Sequence, residues 1–129
     1  MRYIISAELS TLDQATNKQR SNDLKALLRS HGLNARLAIG RYKGIDETSY
    51  LIETDSIHAS NAYETMIELA RLFDQECFLA LSGGHGTLIG PNGTTLGQLI
   101  FEETLTDVRP SEDHTAIKTG ERYLILKGR

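Results

Sequence analysis

Leu33-Asn34-Ala35-Arg36-Leu37-Ala38-Ile39-Gly40-Arg41-Tyr42-Lys43-Gly44-Ile45-Asp46-Glu47-Thr48-Ser49-Tyr50-Leu51-Ile52 is the stretch on which the fold turns. In its opening part Leu33, Ala35, Leu37 and Ile39 alternate with Asn34, Arg36 and Ala38, the period of a strand buried on one face. Thr48-Ser49-Tyr50-Leu51-Ile52 reads as a second strand. Between them, Gly40 to Asp46 carries two glycines and charged residues and predicts a turn or a short exposed loop. Two strands therefore follow each other with no helix between, and the flanking elements set the topology.

Upstream, Tyr3-Ile4-Ile5-Ser6-Ala7 predicts a strand near 2–8, and the polar stretch Ser10 to Thr16 supplies helix-start residues. From about Asn17, Leu24, Leu27 and Leu28 fall at i, i+3, i+4, and the pattern stops at His31-Gly32, where glycine can take the left-handed conformation that ends a helix. Downstream, Ala62, Met66, Leu69, Ala70 and Phe73 recur at helical spacing behind Ser60 and Asn61 as candidate N-caps. Cys77-Phe78-Leu79-Ala80-Leu81 is a continuous apolar run, consistent with a central strand, broken by Ser82-Gly83-Gly84.

The resulting order, βαββαβ, predicts an α+β, ferredoxin-like antiparallel sheet with both helices on one face. The opposite face and the sheet edges then need cover, which subunit association commonly supplies. From Gly86 to Arg129 come a hairpin signal at Pro91-Asn92-Gly93, an apolar stretch Leu96 to Leu105, a polar loop Asp107 to Thr119 and a strand at Tyr123-Leu124-Ile125-Leu126. They read as a C-terminal strand extension of the sheet, able to cross to a neighbouring subunit.

The 129 residues make one domain, 1–129, and 40% hydrophobic with 24% charged residues is ordinary globular composition. Lys and Arg number 14 against 17 Asp and Glu, a net charge of -3, and the basic residues are scattered, which argues against nucleic acid as partner. No apolar run reaches the length of a membrane span, and the start turns polar too soon for a secretory segment, so a cytoplasmic location is expected, with no membrane partner. A single cysteine makes no intramolecular disulfide, and four dispersed histidines do not form a ligand cluster; no metal is expected.

Five places bear residues capable of chemistry. Tyr42 and Glu47 bracket the glycine-containing turn, where a carboxylate can neutralise a cation or act as a base, or simply be a solvated strand-edge side chain. Asn17 and Arg20 share a helical turn at i, i+3. Ser82-Gly83-Gly84-His85-Gly86-Thr87 could present backbone N–H groups to a ligand, but without a following Lys-Ser or Lys-Thr a tight hairpin is the better reading. Cys77 reads as a buried, inert thiol, and Asp113-His114 lacks the nucleophile that a hydrolytic triad would need.

The order of Ser6-Ala7, Asn17-Lys18-Gln19-Arg20, Gly40-Arg41-Tyr42, Glu47-Thr48-Ser49, Ala70-Arg71-Leu72, Gln75-Glu76-Cys77-Phe78-Leu79, Ser82 and His85 resembles the small phage-encoded S-adenosylmethionine (SAM) lyases, also called SAM hydrolases. The resemblance covers most of Tyr3 to Ile89 and thins to Gly120-Glu121-Arg122-Tyr123. It implies a homotrimer of PII-like subunits with interfacial sites, catalytic roles for Glu47 and Tyr42, and substrate-binding candidates in Asn17, Arg20, Ser82 and His85. SAM would be the substrate and no cofactor would be needed. The biological role it implies is depletion of host SAM against restriction. The products expected are 5′-methylthioadenosine and homoserine lactone, formed by attack of the substrate's own carboxylate on its γ carbon, with adenine read by backbone groups at the edge of the strand Cys77–Leu81 and in the Ser82–Thr87 loop. Hydrolysis to homoserine, or a non-catalytic trimeric binder of an adenine nucleotide, are the alternatives.

Overall fold

The computed structural model describes residues 1–55 and 58–128, apart from the side chains of Tyr42 and Ala59. Its elements are β1 (Arg2–Ser6), α1 (Gln14–Ser30), β2 (Ala35–Tyr42), β3 (Ile45–Glu53), α2 (Ala59–Leu72), β4 (Phe78–Ser82), β5 (His85–Ile89), β6 (Thr95–Thr106), β7 (His114–Thr119) and β8 (Arg122–Gly128). The strands close into an antiparallel barrel in the order β1-β3-β2-β7-β8-β6-β5-β4, with β4 returning to β1.

The open ferredoxin-like sheet expected above is thereby corrected. The leading elements occur in the anticipated order, but the C-terminal part does not extend the sheet outward or cross to a neighbour. It folds back, and β7 pairs with β2 from Ala38↔Ile117 to Arg41↔His114. The polar loop assigned to Asp107–Thr119 is half strand, because Ala116 and Ile117 are buried and the free edge of β2 offers them a ladder. The face that association was expected to cover is the barrel interior, so that argument for a PII-like trimer loses its premise.

Alternation along the strands divides the apolar residues between two cores. Ile4, Ala38, Leu51, Leu81, Ile117 and Leu126 fill the barrel, as side chains do in eight-stranded barrels. Their strand neighbours Tyr3, Ile5, Tyr50, Ile52 and Phe78 point outward and are covered by Leu24 and Leu28 of α1 and Met66, Leu69 and Phe73 at α2. Phe78 sits edge-on to both Tyr3 and Tyr63, at 6.1 and 6.0 Å between ring centroids. No helix among the described residues is long and apolar enough to cross a membrane.

Three local expectations shift. Helix α1 starts before Asn17, because Asp13 caps it by accepting a hydrogen bond from Thr16 N at 2.7 Å. Helix α2 begins at Ala59, one residue before the caps proposed for it. The loop assigned to Gly40–Asp46 shrinks to two residues: Lys43 and Gly44 both have positive φ (53° and 78°), a mirror-image turn whose twist suits a hairpin.

Candidate active site

A cavity of about 760 Å³ opens at the barrel end where Ser6 closes β1 and Glu47 lies near the start of β3. Its floor is apolar, from Ile4, Leu79, Leu88, Leu99, Phe101 and Leu126. Its rim is polar: Ser6, Glu8, Glu47, Ser49, Asp113 and Thr115. Glu47 faces inward because it shares strand parity with Leu51 of the barrel core. Its cross-strand neighbour is Gly40, which puts no side chain beside it.

Burial pushes the Glu47 carboxyl above its ordinary value, the adjacent Ser6 hydroxyl opposes that rise, and the charge of Glu8 adds to it. The Ser6 proton has another claimant, Thr48 O at 2.8 Å, and one hydroxyl proton serves one acceptor at a time. Glu8 is drawn to the same spot, since its backbone N–H donates to Ser6 Oγ at 3.1 Å. The rim is thus negative and only partly compensated, the setting in which an organic cation is stabilised.

Of the catalytic and substrate-binding candidates Glu47, Tyr42, Asn17, Arg20, Ser82 and His85, Glu47 is the one that lines the cavity among the described side chains. Tyr42 ends β2 opposite Ile45, and its side chain lies outside the described residues. Asn17 and Arg20 frame the site. Asn17 Oδ1 accepts from Leu9 N and its Nδ2 donates to Leu9 O, both at 2.9 Å. Arg20 Nε donates to Ala7 O at 2.7 Å, and its guanidinium lies 5.5 Å from the Phe73 ring centre and bonds Phe73 O. Both side chains are spent on the loops that rim the cavity.

Ser82 and His85 face each other across the Gly83-Gly84 hairpin turn, and both are exposed. That turn lies at the opposite end of the barrel, beyond the five residues of β4, about 17 Å at the rise of a strand. The structure does not bring Ser82 and His85 to Glu47.

Two contributors escaped the sequence reading. Glu8 followed a strand with no pattern around it. Gln75, inside the run Gln75-Glu76-Cys77, donates from Nε2 to Glu8 O at 3.0 Å and so ties the segment before β4 to the β1–α1 loop. Cys77 is corrected from a buried strand residue to a half-buried one lining the cavity just before β4. Burial and the charges of Glu76 and Glu47 push its thiol up, which disfavours the thiolate.

Asp113 and His114 also reach the cavity wall. His114 is 2% exposed, its Nδ1 donating to Glu112 O at 2.8 Å while Nε2 accepts from Arg109 Nε at 3.1 Å. Both ring nitrogens are engaged in structure. No group of three or more His, Cys, Asp or Glu among the described residues is arranged to hold a metal ion.

Compared with known proteins, residues 3–126 match the S-adenosylmethionine lyase family. No curated protein matches the chain. Because the family match runs from β1 into β8 and so takes in every element of the barrel, the chain belongs to the S-adenosylmethionine lyase family.

Proposed function

We propose that the protein cleaves SAM to 5′-methylthioadenosine and homoserine lactone in the barrel-mouth cavity. The observation that carries this reading is a half-buried carboxylate, Glu47, coupled to Glu8 over an apolar floor. SAM carries a sulfonium, an ammonium and a carboxylate, a net positive charge; the cavity's volume lies within the range of small-molecule sites. The acidic rim suits the charged amino-acid end, and Leu79, Leu88 and Phe101 suit the apolar remainder.

In the step itself a carboxylate oxygen of the substrate attacks its own γ carbon, the C–O bond forms as the C–S bond breaks, and the electron pair passes to sulfur. No proton moves and no water is consumed. The enzyme has only to fold the substrate, and such intramolecular arrangements carry effective molarities of about 10⁵–10⁸ M. Glu47 would hold the ammonium. At about 4 Å and an effective dielectric near 20 that attraction is on the order of 4 kcal/mol, ample for orientation. Pairing with the sulfonium instead would stabilise the ground state, where that charge is largest, and slow the reaction.

Mass spectrometry after incubation with SAM tests the reading. Lactone and methylthioadenosine are expected at the earliest times. Homoserine carrying solvent ¹⁸O with no lactone precursor would make Glu47 a general base for water, and the absence of any product would leave a binder.

A further inference from the structure

Glu47 stands on an overhang. Pairing between β1 and β3 ends at Ser6↔Ser49, and pairing between β2 and β7 ends at Arg41↔His114. Residues 45–48 of β3 therefore have β2 as their sole strand partner among the described residues, and the tip from Tyr42 to Ile45 pairs with nothing further. The β2–β3 ribbon is thus tied to the barrel through β2 alone, by Gly40↔Thr115 and Arg41↔His114, and its tip is an unsupported pair of strands, marginal in water. A carboxylate meant to stay half-buried at a cavity rim needs that ribbon held.

What holds it is on the other face. Asp46 precedes Glu47 and so points away from the cavity. Its Oδ1 accepts from Arg41 Nε at 2.9 Å and from Arg109 NH2 at 3.2 Å, while Oδ2 accepts from Arg41 NH2 and Arg109 NH1, each at 3.4 Å. Arg109 then donates Nε to His114, which is anchored to Glu112 O. Arg41 NH1 reaches Pro110 O at 3.4 Å, and Lys43 N at the turn donates to Asp113 Oδ1 at 2.8 Å. The Arg109–Asp46, Arg41–Pro110 and Lys43–Asp113 bonds join the ribbon to residues 109–114, and the Arg41–Asp46, Arg109–His114 and His114–Glu112 bonds brace the two sides of that joint. Isolated exposed ion pairs contribute little to stability; here one carboxylate takes two guanidinium forks, so geometry is what the cluster supplies.

We infer that Asp46 and Arg109 are positioning residues for Glu47, pinning the ribbon to the β6–β7 connection so that the carboxylate remains over the cavity. This rests on the reading of Glu47 as the group that holds the substrate's ammonium. Loosening the pin hydrates Glu47 and returns its carboxyl toward the ordinary range. The charged or titratable groups that share its surroundings are Glu8 from the β1–α1 loop, Asp74, Glu76 and Cys77 before β4, and Asp113 and His114 at β7.

Two variants with opposite charge changes separate position from electrostatics. Asp46→Asn removes a negative charge beside Glu47, and Arg109→Gln removes a positive one. Both are expected to lower kcat/KM for SAM roughly 10- to 100-fold, as small misplacements do, and both should move the acid limb of the kcat/KM profile to lower pH. Arg109→Lys should fall between Arg109→Gln and the native enzyme. Glu53→Gln, which breaks the Arg36–Glu53 pair at the other end of β3, should leave the limb where it is. Limb shifts of opposite sign in the two variants would reduce the cluster to a charge effect, and a lowered melting temperature with no limb shift would make it structural only; either outcome overturns the inference. Glu47→Gln run alongside keeps the two claims apart: full turnover in that variant sinks the reading of Glu47, whereas its inactivity with an unmoved limb in Asp46→Asn sinks the pin alone.

Discussion

Glu47 and Asp46 adjoin in the chain and carry opposite pH signatures. Burial raises the Glu47 carboxyl, so its protonated form is favoured on folding; that contribution is fully present below the carboxyl's unfolded value and is lost as the pH rises through the raised folded value. Above that raised value the folded enzyme holds a charge it would be more stable without. Glu47→Gln is expected to melt at a higher temperature than the native protein at pH 7, with the gap closing below about pH 4, while turnover falls on the order of 10²-fold or more. Melting curves at the two pH values, with consumption of SAM as the activity readout, check both halves. Asp46 behaves in reverse: the guanidinium groups of Arg41 and Arg109 hold its carboxyl down to about 2, so its stabilising pairing is present above the unfolded value and fades only as the pH falls through that range. Glu47 could be found in the sequence because a carboxylate next to a strand start, beyond a glycine turn, is a pattern. Glu8 and Gln75 could not, because their roles come from main-chain contacts across 67 residues of chain.

Hairpin β4–β5 was read correctly from its glycines, and its third glycine has a separate reason. A Cβ on Gly86 would lie 2.3 Å from Phe101 Cε2 and 3.2 Å from Leu79 Cδ1, so the barrel interior has room for the Phe101 ring only if this position bears no side chain. Gly86→Ala is expected to destabilise by about 1–3 kcal/mol through overpacking, and Phe101→Leu in that background should return part of the loss. Denaturant titrations of the single and double variants measure the coupling; independent, additive losses would refute the contact. Helices and the first strands were accessible because their apolar periods are strong. Strand β7 was not, because His114 and Thr115 are buried polar residues and only Ala116 and Ile117 follow them before the exposed Lys118. Its strand character comes from the edge of β2, which lies seventy residues away in sequence and leaves no local trace. Without β7 the sheet reads as open, and from an open sheet a covering subunit follows.

The barrel joins its last seam between β2 and β7, where Arg41 meets His114 across 73 positions of chain. Contacts of such separation bear the loop-closure cost before they are rewarded, and they slow folding. The early elements, β1 through β4 with the two helices, own a core that does not involve the C-terminal strands apart from Ile89. They can collapse first. The cavity cannot exist at that stage, since Thr115, Leu126, Leu99 and Phe101 belong to strands that arrive with closure, as does Arg109, which pins the ribbon of Glu47. In refolding from denaturant, helical circular dichroism should therefore recover ahead of SAM-cleaving activity, and the activity should share its rate with the slowest conformational phase. Simultaneous recovery would place closure early instead. A nascent chain is then chemically silent until its final strands have emerged and docked, and the enzyme's first turnover reports that the barrel has shut.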